Sequence, residues 1–519
     1  MKKLFILLAA FAVGSSLYAQ ETYENAKLMN GDLNGTAKYV GMGGAMDALG
    51  ADITTMSTNP AGMGLFRHSM ASLSFGFVSQ NGGNTNAGGN KTNMSFDQAG
   101  FVYSKRTRSN SFLNIGFNYR KSKNFDYLLN AAGALNNASQ NKLSYQKLRN
   151  GYLYEVNGAG NIDLKHPYVT CNQLDAVFTN SLFTAAGDGN YYYYPANEYL
   201  LDRTHEGYIG EYAFNISGNI KDRVYLGLTV GLHDVNYRHF GLYTEYFDAN
   251  PENIQGLTVA DDREISGTGV DMKFGIIVRP VETSPFRFGF SVATPTFYDL
   301  TTSNYTTISD GTTTIPTQEA YDFRLNTPWK FNFSLGHTIG KYVALGAGWE
   351  IADYSAADTR VNDGGFYNWY WDEYDESSYS DREMNRHTEQ TLKCVHTLKL
   401  GMEVKPTDNL SLRAGYNYVS PMYKKSGYKD GTLESEGSYY SSATDYTNWE
   451  STNRFTCGIG YNIGKLSMDL AYQYSTTQGQ LTPFMSYYDD VDPAENNVAD
   501  AVKVKNDRHQ LLFTLGYHF

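Results

Sequence analysis

Long apolar runs are missing from most of this 519-residue chain. After residue 20 nothing approaches the roughly 18 consecutive apolar residues that a spanning helix needs, and mean hydropathy is −0.45. Cysteine is scarce: three residues, Cys171, Cys394 and Cys457, give no disulfide framework. Cys394 and Cys457 fall on expected strands two apart, about 9–10 Å between Cα atoms and out of disulfide reach. Basic residues are outnumbered, 42 Lys and Arg against 54 Asp and Glu, for a formal charge of −12. That balance argues against a nucleic-acid partner, whose phosphates demand a basic surface. Catalytic and metal signatures are missing too. The ten histidines are scattered, with no His-Glu-x-x-His, and no Gly-x-Ser-x-Gly elbow occurs. His233 and His239, six apart near an expected strand end, read as girdle or loop residues. No catalytic residue, metal or cofactor is expected.

What is present begins at Met1. Lys2 and Lys3 precede an apolar stretch from Leu4 to Leu17, and Leu17-Tyr18-Ala19 places a small residue before Gln20. This is the pattern of a cleavable export signal, residues 1–19. No cysteine follows the cleavage site, so a lipoprotein anchor has no attachment point.

Beyond residue 68 the dominant signal is alternation with period 2. Leu466, Met468, Leu470, Tyr472 and Tyr474 form one face of a segment, and Ser467, Asp469, Ala471 and Gln473 the other. Leu410/Leu412/Ala414/Tyr416 and Phe455/Cys457/Ile459/Tyr461 repeat the pattern. A soluble barrel would bury its large apolar face and display the polar one. Here the second face is Gly, Ser, Thr, Asn and single charges such as Arg287, Lys330, Arg413 and Asp469, which suits a polar lumen inside a lipid-facing aromatic wall. The 43 Tyr and 28 Phe supply the two interfacial girdles of such a barrel. Candidate strands number about 14: 69–79, 96–105, 111–120, 207–218, 223–234, 264–279, 285–294, 322–338, 341–353, 392–405, 409–420, 453–463, 465–476 and 506–519. Their connections alternate long and short after the first strand. Short turns opposed to long loops are what a membrane barrel imposes and a sandwich does not. The fold class expected is therefore an all-β, antiparallel transmembrane barrel over residues 69–519. The acidic, tyrosine-rich stretch from Trp369 to Asp381 reads as a solvated external loop, with carboxylates of a kind that bind Ca²⁺.

Residues 20–68 do not alternate. They form a Gly- and Ala-rich segment in which a short helix near 44–50 ends at Gly50 and Asn59-Pro60 marks a turn. Gly41 and Gly43 invite a dinucleotide-loop reading, which fails because Met46 stands where Gly or Ala is required and no strand precedes it. At the other terminus Leu511, Phe513, Leu515, Tyr517 and Phe519 share one face. A last strand ending in Tyr517 and Phe519 resembles the signal read by the bacterial barrel-assembly machinery.

Asn59-Pro60-Ala61, lying just before the first strand, and the upstream run Tyr39-Val40-Gly41-Met42-Gly43-Gly44-Ala45 resemble the N-terminal hatch of FadL-type long-chain fatty acid transporters. Ala293-Thr294-Pro295, Asn326-Thr327-Pro328-Trp329 and Arg413-Ala414-Gly415-Tyr416 are similar as well. The resemblance implies a 14-stranded outer-membrane barrel, with residues 20–68 as a hatch in its lumen. It also implies passive uptake of hydrophobic small molecules such as long-chain fatty acids, which leave sideways through the wall when the hatch rearranges. Asn59, Pro60, Ala61 and the glycines Gly41, Gly43 and Gly44 would then be hatch elements. The partners implied are a hydrophobic ligand, outer-membrane lipid and the assembly machinery. No motif fixes the ligand-binding residues. A general porin and a surface barrel for haem binding or adhesion are the competing functions.

Overall fold

The computed structural model describes residues 22–519 apart from 84–87, 150–153, 157–161, 165–192, 251–252, 312–313, 363, 365, 369–372, 376, 434, 436–444 and 490. The expected export signal, Cys171 and part of the acidic loop lie outside the described residues.

Fourteen strands form one closed antiparallel barrel. In chain order they are β1 (Met70–Asn81), β2 (Thr92–Arg108), β3 (Ser111–Asn124), β4 (Ala196–Ile220), β5 (Val224–Phe247), β6 (Gly256–Val278) and β7 (Arg287–Ala293). The second half comprises β8 (Lys330–Ile339), β9 (Val343–Asp353), β10 (Cys394–Val404), β11 (Leu410–Val419), β12 (Tyr446–Ile463), β13 (Leu466–Thr482) and β14 (Val502–His518). Each pairs with the next, and β14 returns to β1 from Met70↔His518 to Asn81↔Asp507. Closure leaves no first or last strand unpaired, the condition for a sheet to sit in lipid. Alternation decides which face is which. Leu412, Phe455, Ile459, Leu470 and Leu511 are exposed outside, while Ser411, Arg413, Thr456, Ala471 and Leu512 are buried inside. Cys394 and Cys457 stand on β10 and β12, with β11 between them, and both are free.

All fourteen expected strands are found, but their lengths differ. β4, β5 and β6 run 25, 24 and 23 residues, so part of each expected long loop is sheet. Residues 322–338, expected as one strand, are two: Thr314–Asn326 and β8. Pro328 lacks the N–H that a continuous ladder needs. Pro295 breaks the neighbouring strand in the same way, between β7 and Phe297–Ser309. Thr327 N–H donates to Thr296 O (3.1 Å), keeping the two breaks level.

Residues 22–66 lie inside the barrel and are almost wholly buried. They comprise α1 (Thr22–Met29), α2 (Ala37–Gly41) and two 3₁₀ turns, Ile53–Ser57 and Pro60–Leu65. The helix expected at 44–50 is instead α2, capped by Thr36, whose Oγ1 accepts from Tyr39 N–H at 3.1 Å. Gly43 and Gly44 have φ of +61° and +79°, which no right-handed helix accommodates, so 42–49 coil as turns. Gly50 does end them, at φ +62°. At the long-loop end two further helices, α3 (Gln140–Arg149) and α4 (Arg382–Thr391), cover the mouth. Thr22 of α1 bonds Thr388 and His387 of α4, both at 2.9 Å, so the lumenal segment reaches up to the lid. Asp381, from the acidic loop, caps α4 by accepting from Met384 N–H at 3.0 Å.

Candidate functional site

The N-terminal segment is seated on inward-facing glycines of the wall. Carbonyl and amide groups of Pro60 and Ala61 lie so close to Gly227 of β5 and Gly275 of β6 that a β-carbon on either would overlap them. Asn59 caps the second 3₁₀ turn, its Oδ1 accepting from Ala61 N–H at 3.2 Å. Across the lumen, Met42 and Gly43 rest on Gly401 of β10 and Gly415 of β11, and Ala45 on Gly346 of β9. A β-carbon at Gly43 would come 2.8 Å from Leu400 O, so close approach as well as left-handed φ requires glycine there. A β-carbon at Gly41 would meet Gly458 Cα of β12 at 3.4 Å, and Gly44 packs against Leu33 and Tyr39. The structure therefore brings Asn59-Pro60-Ala61 and the three glycines to opposite walls of one plug. Polar strand residues complete the seat: Ala37 N–H donates to Thr514 Oγ1 (2.7 Å), and Asn114 Nδ2 to Met63 O (2.7 Å).

Above this plug a cavity of about 390 Å³ remains. Its two ends differ. Towards the long loops Tyr23, Phe125, Tyr127, Tyr237, Tyr423 and Trp449 supply most of the lining, interrupted by Lys27 and His205, which contact Tyr237, and by Asp445 and Glu450; Tyr23 stacks on Tyr423 with ring centroids 5.2 Å apart. Towards the plug the lining becomes charged. Arg120 pairs with Glu211 at 2.7 Å, and Lys399 with Glu350 at 3.1 Å. Asp32 of the N-terminal segment faces Lys123, Arg454 and Arg508 at 3.7–3.9 Å. Burial alone would raise the Asp32 pKa; the three cations and the Asn124 N–H outweigh burial and hold it below the ordinary carboxylate range. Glu24 in α1 is likewise held well below its usual value, burial being outweighed by Lys27, Arg263 and His239.

One seam of the wall opens onto this cavity. β2 and β3 pair only from Arg108↔Ser111 to Gln98↔Arg120. Above that, β2 stays with β1 as far as Thr92, and β3 stays with β4 as far as Asn124. The freed edge of β3 is satisfied by the N-terminal segment. Asp32 N–H donates to Ser122 O (2.8 Å), Asn124 N–H to Asp32 Oδ2 (3.0 Å), and Asn34 Nδ2 to Lys121 O (3.1 Å). Asn34 Nδ2 also reaches Asp97 Oδ1 on β2 at 2.8 Å, and Lys121 Nζ reaches Ser95 Oγ at 2.9 Å. Higher still, Gln80 closes the seam by bonding Leu128 N and O, both at 2.7 Å. The opening is thus a window filled by residues 31–34. Sequence reasoning stopped β3 at residue 120 because alternation fails there. By period 2, Lys121 and Lys123 would continue the outward face of Leu113, Ile115, Phe117 and Tyr119, where lysine does not sit in lipid; the register shift between them turns Lys123 into the lumen, against Asp32.

His233 and His239 are neither girdle nor loop residues. β5 runs well past its expected end, and a spacing of six keeps both on one face, here the inner one. His239 Nε2 meets Asp261 at 2.7 Å and His233 Nε2 meets Asp271 at 3.1 Å. Glu211, His233 and Asp271 are close enough to hold a metal ion. The cation among them is Lys273, 2.6 Å from Asp271 and 2.9 Å from Glu211. At the chain end Tyr517 and Phe519 are exposed on the outer face with rings 5.1 Å apart, and Phe519 N–H donates to Ser69 O (3.0 Å).

Solved structures follow a similar chain path. The Ralstonia pickettii toluene transporter TbuX is 13% identical over 94% of this chain and 99% of its own, with a TM-score of 0.48. A Pseudomonas aeruginosa FadL homologue is 12% identical over 98% and 100%, at 0.49. The CymD monoaromatic hydrocarbon channel is 10% identical over 95% and 98%, at 0.47. No protein-family model and no curated protein matches the sequence.

Proposed function

We propose that this chain is a bacterial outer-membrane channel for passive uptake of hydrophobic small molecules. Residues 22–66 act as its hatch and the β2–β3 window as its side exit. The observation that carries this reading is the window itself, an interrupted seam next to an internal cavity and filled by a short stretch of the chain's own N-terminal segment. A greasy solute gains nothing from a water-filled pore; it needs apolar surface on the way in and a route into lipid on the way out. The aromatic upper cavity offers the first and the window the second. A long-chain fatty acid fits both ends of the cavity, its tail among the tyrosines and its carboxylate near Lys123, Arg454 and Arg508. The filled lumen weighs against a general porin. On this reading Asn59, Pro60, Ala61 and the glycines Gly41, Gly43 and Gly44 hold the hatch to the wall, and Tyr517 and Phe519 serve assembly.

The test is flux into proteoliposomes of labelled oleate, hexadecane and sucrose. Oleate or hexadecane should enter several-fold faster with the protein, sucrose should not, and Asp32→Ala with Asn34→Ala should change the lipid rate. Equal entry of sucrose, or no acceleration of either lipid ligand, overturns the reading. Binding without entry would make the protein a surface-binding barrel.

A further inference from the structure

The short-turn end of the barrel carries charge of the opposite sign to the chain as a whole. In residues 67–68, 105–110, 221–223, 279–286, 340–342, 405–409 and 464–465 stand ten lysines and arginines and only three carboxylates, Asp222, Glu282 and Asp408, in a protein of formal charge −12. Two of those carboxylates are already engaged, Asp222 by Arg67 and Asp408 by Lys341. Lys105, Arg106, Arg108, Lys221 and Lys465 have no carboxylate partner among the described residues. The bases lie on adjoining turns: Lys221 N–H donates to Ser111 Oγ beside Arg108 (3.1 Å), and Arg279 N–H donates to Arg223 O (2.7 Å). The other end is the reverse, with Glu198, Glu206, Glu264, Asp299 and Asp322 exposed on the wall beyond its apolar belt.

Placement adds to the charge. Tyr103, Ile339 and Ile463 are among the most exposed apolar side chains of the outer wall, at 57%, 54% and 54%. Each is followed two residues later, along the strand or in its turn, by an exposed lysine: Lys105, Lys341 and Lys465. Along an extended strand two residues span about 6–7 Å, which sets the Lys105 amine just past the last side chain that seeks hydrocarbon; Lys341 and Lys465 stand in the turns that directly follow theirs. That is the depth of lipid phosphates, and an aliphatic lysine stem lies in apolar surroundings while its head stays in the polar layer. Polybasic clusters at this depth bind anionic lipid by charge, a contact that salt weakens.

We infer that the short-turn rim is a binding surface for anionic phospholipid headgroups of the leaflet it meets. Lys105, Arg106, Arg108, Lys221 and Lys465 are its principal contacts.

The experiment measures association of spin-labelled phosphatidylglycerol and spin-labelled phosphatidylcholine with the protein in phosphatidylcholine vesicles, by electron spin resonance. The anionic lipid should associate several-fold more strongly at low salt, and the ratio should fall towards one in 1 M NaCl. Joint substitution Lys105→Gln, Arg106→Gln, Arg108→Gln, Lys221→Gln and Lys465→Gln should bring the ratio close to one at low salt. Folding is checked by heat-modifiable gel mobility. If the five-fold variant does not fold, Lys105→Gln with Lys465→Gln alone should lower the ratio by a smaller, measurable step. A ratio near one in the unaltered protein, a ratio indifferent to salt, or a ratio unchanged in the substituted protein overturns the inference. The last result would assign the basic rim to an acidic protein partner.

Discussion

The β4–β5 seam and the β2–β3 seam are built from the same kind of strand and end differently. β4 and β5 pair from Ala196↔Phe247 down to Ile220↔Val224 with a single shift near the top. β2 and β3 part at Gln98↔Arg120, and just beyond, the pairing of β3 with β4 shifts register between Lys121 and Lys123. The difference is chemical before it is geometric. Along β4 the outward positions of the lower wall, Tyr212, Phe214 and Ile216, are exposed and apolar; along β3 the apolar run Leu113, Ile115, Phe117 and Tyr119 stops while the strand is still rising, and Lys121 and Lys123 reach Ser95 and Asp32 instead of lipid. A backbone that leaves the ladder needs other partners for its N–H and C=O groups, and residues 31–34 provide them. A continuous seam is held by many equivalent bonds, whereas the window is held by a few, most of them made by Asp32 and Asn34. Such a site opens locally without unfolding the barrel.

The largest effect expected is in the continuous seam. Phe214→Pro removes a ladder N–H between Phe117 and Val230 in the middle of a sheet, where proline is essentially excluded, and should show as loss of the heat-modifiable folded band. If the band persists with unchanged urea resistance, the two seams are not as different as described. Next, Asp32→Ala leaves Lys123, Arg454 and Arg508 facing each other without their shared carboxylate. Removing one partner of a largely buried pair costs on the order of 3 kcal/mol, and here the cost should appear locally. Amide exchange at Asn124 should rise about a hundredfold while exchange at Phe214 stays unchanged. Parallel acceleration at both sites would mean that the window and the ladder open as one unit. Asn34→Ala deletes one bond to the Lys121 carbonyl, worth about 1 kcal/mol, and one to the Asp97 carboxylate, worth about 1.5 kcal/mol or more, and should accelerate exchange near Lys121 by about thirtyfold.

The smallest effect is that of pH near neutrality. Asp32 has its pKa lowered in the folded protein, so its stabilising contribution is complete above the unfolded aspartate value of about 3.9 and is lost as the pH falls through the lowered folded value. Exchange at Asn124, corrected for its intrinsic rate, should therefore be flat from pH 5 to 8 and rise only in strong acid. A rise beginning at pH 6 would point to histidine, not Asp32, as the group that holds the window.

The barrel was legible in the sequence because period-2 alternation is a direct image of lipid on one side and a filled lumen on the other. Strand number and turn placement followed from it. Strand length did not, since above the apolar belt the outer face of β5 and β6 becomes polar and the contrast between faces fades, as at Arg238 and Asp262, which pair on the outer wall. The motif Asn59-Pro60-Ala61 announced a tight turn, yet its contact with Gly227 and Gly275 depends on strands more than 160 positions away, which no local pattern encodes. The ending of alternation at residue 120 was visible as the end of a strand. Its meaning as a parting of neighbours was not, because pairing is a property of two segments and alternation of one. His233 and His239 were misplaced for the related reason that a strand's end was set too early.

The length of β4, β5 and β6 has a consequence for the molecule's surroundings. Twenty-four residues at about 3.3 Å each, tilted by about 40°, rise roughly 60 Å, against an apolar belt of about 25 Å. These three strands therefore stand clear of the bilayer for about half of their length. On the uptake reading, a sparingly soluble molecule would be met by protein surface well outside the hydrocarbon layer, before it reaches lipid.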